Sequence, residues 1–212
     1  MKEAIVELIG TFFLVLVVGL AVTQPGAGLL APLAIGAILA VMIYAGGHIS
    51  GAHYNPAVTV AVWLRGKTKS ADTFGSAALL YIGAQLVGAL LAAGAVGYLK
   101  AGSPMIPMRL VASKALVAEL LFTFALAYVV LNVATVKETK GNSYFGLAIG
   151  FTVTAGAFAV GNISGAVFNP AVAVGLTLMG LSAASNLWVY LVGNLAGGVL
   201  AALTFRALSS EK

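Results

Sequence analysis

GHISGAHYNPAVTVAVWL, residues 47–64, aligns without a gap to GNISGAVFNPAVAVGLTL, residues 161–178, half a chain further on. The similarity spreads outward from this pair. Glu7 to Phe12 (ELIGTF) matches Glu119 to Phe124 (ELLFTF), and Tyr81 to Leu86 (YIGAQL) matches Tyr190 to Leu195 (YLVGNL). The chain is therefore two copies of one unit, with halves of roughly 1–110 and 111–212 forming a single domain. Each copy carries long apolar stretches. They lie at roughly 4–23, 29–47 and 75–98 in the first half, and 112–134, 144–160 and 185–206 in the second. Each is about the 20 residues that a membrane-spanning helix needs. Three spans is an odd number, so the second half runs upside down relative to the first. That is the inverted-repeat architecture, whose functional site sits between the halves near the bilayer midplane.

The composition agrees. Of 212 residues, 61% are hydrophobic and 8% are charged, against about a quarter charged in soluble domains. The predicted fold is an all-α membrane protein of six transmembrane helices plus two re-entrant half-helices, with the lipid bilayer as its surroundings. The formal net charge of +5 is not a nucleic-acid signal, because the basic residues sit in the gaps between spans. With the N-terminus inside, the cytoplasmic segments hold Lys2, Arg65, Lys67, Lys69, Lys137, Lys140, Arg206 and Lys212. The outside holds Lys100, Arg109 and Lys114. That asymmetry predicts cytoplasmic termini in a multi-pass protein of the cell membrane, plasma or inner. Glu3 and Glu7 argue against a cleaved leader, so the first apolar run reads as the first span. The chain has no cysteine, which excludes disulfides and thiolate metal sites.

The two copies of Asn-Pro-Ala open short apolar segments, Asn55–Leu64 and Asn169–Leu178, that cannot cross a bilayer at 1.5 Å per residue. Asn is a strong N-cap, and proline fits the first helical position because its missing N–H is not needed there. Ala57 and Ala171 leave room for a close backbone approach. Once Asn55 and Asn169 cap their helices through oxygen, their amide NH₂ groups are free to act as paired donors where the stubs meet. Each stub also brings about half a positive charge to its N-terminus. Two such ends at the midplane repel a cation or hydronium, pass a neutral solute, and turn water so that its proton-conducting chain is broken. Irregular backbone survives at membrane depth where it lines a cavity. Gly51, Ala52 and His53, with Gly165, Ala166 and Val167, are predicted to supply a ladder of carbonyl acceptors leading to the Asn pair.

These doubled Asn-Pro-Ala motifs, each preceded by Gly-x-Ile-Ser-Gly, resemble the aquaporin or major intrinsic protein family over essentially the whole chain. The resemblance implies a homotetramer with one pore per subunit and a passive channel for water or small uncharged solutes, closed to protons and ions. It also implies a four-residue selectivity filter at Ile35, Ala157, Ala166 and Val172. The family's arginine position is Val172 here, so the filter is apolar and wider. The expected permeants are water together with glycerol, urea, ammonia or peroxide. The family's glycerol-conducting members usually carry an aspartate where this chain has Ala173, which disfavours a dedicated glycerol facilitator. A solute-preferring facilitator with low water conductance is the alternative reading.

Glu7 and Glu119 lie inside spans, where ionisable groups are costly. A proton relay is one reading; symmetric scaffold carboxylates accepting hydrogen bonds from the re-entrant loops is the other, favoured by their repetition. His48 is assigned to the inner mouth as a loop brace or gate, and His53 acts mainly through its carbonyl. No third histidine completes a metal site, and no cofactor is implied. Gln85 and Asn194 are expected to bond between helices, and Trp63, Tyr98 and Trp188 to anchor at the membrane interfaces. Asn162-Ile163-Ser164 matches a glycosylation acceptor by chance, since it leads into a re-entrant loop. A coupled transporter would need an ion or proton site at the midplane, where the pore stretches offer two neutral Asn side chains and no carboxylate. An intramembrane protease is excluded by the lack of paired aspartates, a zinc-ligand helix or a Ser–His arrangement. The short loops offer little adhesive surface.

Overall fold

The structure is a computed structural model that describes residues 1–66 and 76–209. Lys67, Lys69, Lys212 and the first residue of the third apolar stretch lie outside the described residues. Among the described residues eight α-helices follow one another: α1 (Lys2–Val22), α2 (Ala31–Ser50), α3 (Pro56–Leu64), α4 (Ser76–Leu99), α5 (Ala112–Ala134), α6 (Phe145–Ser164), α7 (Pro170–Leu178) and α8 (Leu187–Leu208). Six of these described helices are long and apolar enough to cross a membrane. The short α3 and α7 are 9 residues each. Leucine, valine, isoleucine and phenylalanine face outward along the spans, including Leu79, Leu90, Leu121, Phe158 and Leu203. Only a lipid surround makes that arrangement favourable. The chain is an all-α multi-pass membrane protein.

Equivalent helices pack in equivalent ways. The most extensive contacts are α1 on α4 and α5 on α8, while α2 on α6 joins the halves. Without a hydrophobic drive inside lipid, such contacts rest on close backbone approach. Gly88 supplies it between α4 and α1, where an added Cβ would stand 2.5 Å from the Leu8 carbonyl oxygen. Gly197 does the same between α8 and α5, at 2.6 Å from Leu120 O.

Two helix ends differ from the sequence reading. The apolar stretches lie at roughly 29–47 and 144–160, and the helices run three and four residues further, α2 to Ser50 and α6 to Ser164. The true stops are Gly51 (φ 87) and Gly165 (φ 86), each in the left-handed conformation. Their N–H groups bond back to Gly47 O and Gly161 O, closing the last helical turn. From there the chain turns into the core as a re-entrant loop. Trp188 and Tyr98 are exposed, and Trp63 is half-buried and borders a cavity on the side of the α1 N-terminus.

Candidate functional site

The re-entrant loops are strained, and a buried carboxylate holds each one. Ala52 (φ 51) and Tyr54 (φ 48) are left-handed although they carry side chains, the first directly after the left-handed Gly51, and Ala166 (φ 51) and Phe168 (φ 48) repeat the pattern after Gly165. A non-glycine residue in this region costs about 1–2 kcal/mol. Glu7 in α1 and Glu119 in α5 are both fully buried. Glu7 accepts from Ser50 Oγ (2.7 Å), His53 N (2.9 Å), Tyr54 N (2.7 Å) and Gln85 Nε2 (2.8 Å). Glu119 accepts from Ser164 Oγ (2.6 Å), Val167 N (2.9 Å) and Phe168 N (2.7 Å). Hydrogen bonds to a charged group each contribute about 1.5–3 kcal/mol. Three or four of them outweigh two left-handed residues. Tyr81 and Tyr190 add a matching clasp, donating to Ser50 O (2.8 Å) and Ser164 O (2.9 Å).

This clasp also aims the loop carbonyls. In a planar trans peptide the N–H and the preceding C=O point to opposite edges. The His53 and Tyr54 N–H groups face Glu7, so the Ala52 and His53 carbonyls face away from it. Ala52 N bonds Ser50 Oγ at 2.9 Å, which turns the Gly51 carbonyl away from that hydroxyl. The same logic turns the carbonyls of Gly165, Ala166 and Val167 away from Ser164 and Glu119.

The two stubs meet in the middle. Asn55 Oδ1 accepts from Ala57 N at 2.9 Å, and Asn169 Oδ1 from Ala171 N (2.9 Å) and Val172 N (3.4 Å). Pro56 and Pro170 take the first helical positions. Ala57 and Ala171 are fully buried, and the Ala57 carbonyl is so close to α8 that a Cβ on Gly198 would sit 2.6 Å from it. The asparagine amides are not wholly free, contrary to the sequence reading. Asn55 Nδ2 donates to Phe168 O (2.8 Å), and Asn169 Nδ2 donates to Tyr54 O (2.9 Å). Each half thus ties its amide to the other half's loop. An amide nitrogen carries two hydrogens, so one remains on each Asn.

A cavity of about 370 Å³ runs past this crossing, lined by both asparagines and by Ala52, His53, Gly165, Ala166 and Val167. Ile35, Ala157 and Val172 line it too, so all four predicted filter positions border one space. Among the described residues its lining contains no Asp, Glu, Lys or Arg. A second cavity of about 570 Å³ opens on the side of the α1 N-terminus, lined by Glu3, His48, Gly51, Trp63 and Tyr81 among others. His53 and Val130 border both cavities, so the two spaces adjoin there.

Sequence reasoning missed the His53 ring. Its Nδ1 lies 3.2 Å from Thr59 Oγ1, which also accepts from Gln85 Nε2 at 3.0 Å. The ring meets Tyr81 edge-on at 5.2 Å. The second half has Val167 and Ala173 at the equivalent places, so the polar cluster belongs to one side alone. The residue difference within the repeat was the available signal.

Gly10 also escaped notice. A Cβ there would stand 2.1 Å from the ring of Tyr54, whose hydroxyl is held by Met42 O at 2.9 Å. The equivalent residue of the second half is Phe122, which stacks on Phe168 at 5.4 Å. Gly10→Ala is expected to destabilise the protein by about 1–3 kcal/mol, the usual range for overpacking. Thermal unfolding in detergent checks this; an unchanged melting temperature would show that the ring moves freely.

Fold and site together define a transmembrane channel. Residues 1–205 match the family described as Major intrinsic protein. The chain is 36% identical over 223 residues to a glycerol uptake facilitator protein-like 6 of Lactiplantibacillus plantarum, covering 100% of both chains. It is also 36% identical over 249 residues to aquaporin AqpM of Methanothermobacter thermautotrophicus, covering 99% of this chain and 98% of that one. In fold it resembles the aquaglyceroporin of Plasmodium falciparum, with a TM-score of 0.81 at 22% identity over 98% of this chain and 96% of that one. The chain belongs to the major intrinsic protein family.

Proposed function

We propose that this protein is a passive channel for water and small uncharged solutes that excludes protons and ions. The observation that carries the reading is the reciprocal crossing of Asn55 and Asn169 on the wall of one cavity. Two helix N-termini converge there, each worth about half a positive charge. A cation entering the cavity meets that field, and among the described residues no carboxylate on the cavity's lining offsets it. A neutral solute is passed from the carbonyls of Gly51, Ala52 and His53 to the Asn amides, and on to those of Val167, Ala166 and Gly165. Glu7 and Glu119 act as scaffold, because Ser50 and Ser164 and the N–H groups of both re-entrant loops converge on them. His48 borders the inner mouth.

Ile35, Ala157, Ala166 and Val172 form the outer filter. Such a filter offers no side-chain donor to replace water's lost hydrogen bonds, so it favours solutes that are weakly hydrated for their size. This supports glycerol, urea, ammonia and peroxide as permeants beside water. It also supports the second reading, a solute-preferring facilitator with low water conductance. Relatives bearing aquaporin and glycerol-facilitator names are compatible with both. We place the N- and C-termini in the cytoplasm from the basic residues Lys2, Arg65, Lys137, Lys140 and Arg206. The assembly is a homotetramer in the cell membrane.

Purified protein in liposomes, followed by stopped-flow light scattering, tests the function. Water flux and glycerol flux should both exceed those of empty vesicles, and a valinomycin-clamped proton gradient should decay no faster than in empty vesicles. Ion-driven or proton-driven uptake would replace this reading with a coupled transporter.

A further inference from the structure

The outer end of the passage has a wall that the repeat does not supply. Residues 100–111, which join α4 to α5, are laid across it and fastened at several points. Lys100 Nζ donates to Pro25 O, Thr23 Oγ1 donates to Met105 Sδ at 3.7 Å, and Met108 N donates to Leu181 O at 3.0 Å. Ile106 and Met108 consequently border the same cavity as Ile35, Ala157, Ala166 and Val172. The Met108 sulfur lies 3.4 Å from where a Cβ on Gly165 would stand, against the start of the second re-entrant loop. Gly165 is held in the left-handed conformation at φ 86 by its N–H bond to Gly161 O and by the contacts of Ser164 with Glu119 and Ala166 N.

The polar groups nearby leave the choice of solute to shape. The Tyr190 hydroxyl has its proton committed to Ser164 O. The Ser182 hydroxyl oxygen beside it is sealed from solvent although its residue borders the cavity. What faces a solute here is carbonyl oxygen on one side and alkyl or thioether on the other. Methionine is unbranched and adaptable, with three rotatable bonds, whereas Ile35 and Val172 are stiff at χ1. Clearance through the ring therefore varies with the conformation of Met108 more than with its partners.

We propose that Met108 is a specificity-determining residue of the outer constriction, a fifth apolar wall whose side chain sets the largest neutral solute admitted. The inference rests on the channel reading given under Proposed function. It assigns a part of the selectivity to a loop outside the two repeated motifs.

The test compares water, glycerol and erythritol fluxes into proteoliposomes for the parent, Met108→Ala, Met108→Phe and Arg109→Ala. Met108→Ala should raise erythritol flux relative to water by about tenfold, the scale set by removing methylene-sized bulk from a pocket. Met108→Phe should lower glycerol flux relative to water by about as much. Arg109→Ala, in the same loop but outside the cavity lining, should keep the parent's ratios. A misfolded variant loses flux for everything, so the gain in Met108→Ala cannot be mimicked by misfolding. Parent-like ratios in both Met108 variants, in vesicles that still conduct water, would overturn the assignment while leaving the channel intact. Parent vesicles no faster than empty ones for every solute would remove the channel reading itself, and this assignment with it.

Discussion

Glu119→Ala is expected to cost the protein its folded loop and its conductance together. Removing that carboxylate strands the Ser164 hydroxyl and the Val167 and Phe168 N–H groups, which converge on it at 2.6–2.9 Å. A buried donor left unsatisfied costs about 1–3 kcal/mol, so three cost on the order of 3–9 kcal/mol before any relaxation. Typical folding stabilities of about 5–15 kcal/mol leave little margin for that loss. Glu119 is fully buried, so the stranded donors do not face bulk solvent. The left-handed residues Ala166 and Phe168 also lose what holds them. Glu119→Gln gives a graded comparison. Its carbonyl can still accept from Ser164 and Val167, but its NH₂ opposes the Phe168 N–H, so an intermediate defect is expected. Melting temperature in detergent and flux per reconstituted molecule measure both variants. A melting temperature within about 2 °C of the parent, a shift below about 1 kcal/mol for a domain of this size, would show that the loop stands without its carboxylate.

That dependence also explains what could be read from the sequence. The six spans are legible because lipid demands long apolar runs, and the inversion is legible because three spans per copy is odd. The half-helices are legible because an Asn-Pro start and a ten-residue apolar run have few alternatives at membrane depth. Helix ends were harder. The apolar run gives out at Gly47, yet continuing the helix satisfies backbone groups inside the membrane until Gly51 turns the chain. Local polarity lost to backbone hydrogen bonding.

The candidate site was legible as a set of residues, not as a geometry. The repeat pointed to Asn55 and Asn169, but nothing in either copy announces that each amide reaches the other half's loop. Such a contact joins residues more than a hundred positions apart, and periodicity carries no trace of it. Departures from the repeat held the rest. Gly10 against Phe122, Thr59 against Ala173 and His53 against Val167 mark where the halves differ, and each turned out to be a packing or hydrogen-bonding difference at the loops. The 100–111 segment has no counterpart in the other half and no regular pattern, so the placement of Met108 was beyond a sequence reading.

Val172→Arg is the second large effect expected, and it acts on selectivity rather than on folding. Val172 is buried at 4% exposure at the first turn of α7, and its N–H donates to the Oδ1 of the capping Asn169. A long side chain from that Cα has one open direction, the cavity it shares with Ile35, Ala157 and Ala166. There the guanidinium adds bulk, hydrogen-bond donors and a fixed positive charge at once. Bulk excludes glycerol, and the donors compensate water for part of the hydration it loses in an apolar ring. Glycerol flux should therefore fall by about tenfold or more, the penalty a filled pocket imposes on a larger solute, while water flux falls much less. Val172→Leu separates the causes, since it adds volume without donors or charge. If bulk alone governs, Val172→Leu lowers the glycerol-to-water ratio as far as arginine does. If donors matter, arginine shifts the ratio further, because it also restores water. Equal loss of both fluxes in the arginine variant would mean that the side chain plugs the passage, and that the apolar ring is not what distinguishes the two solutes.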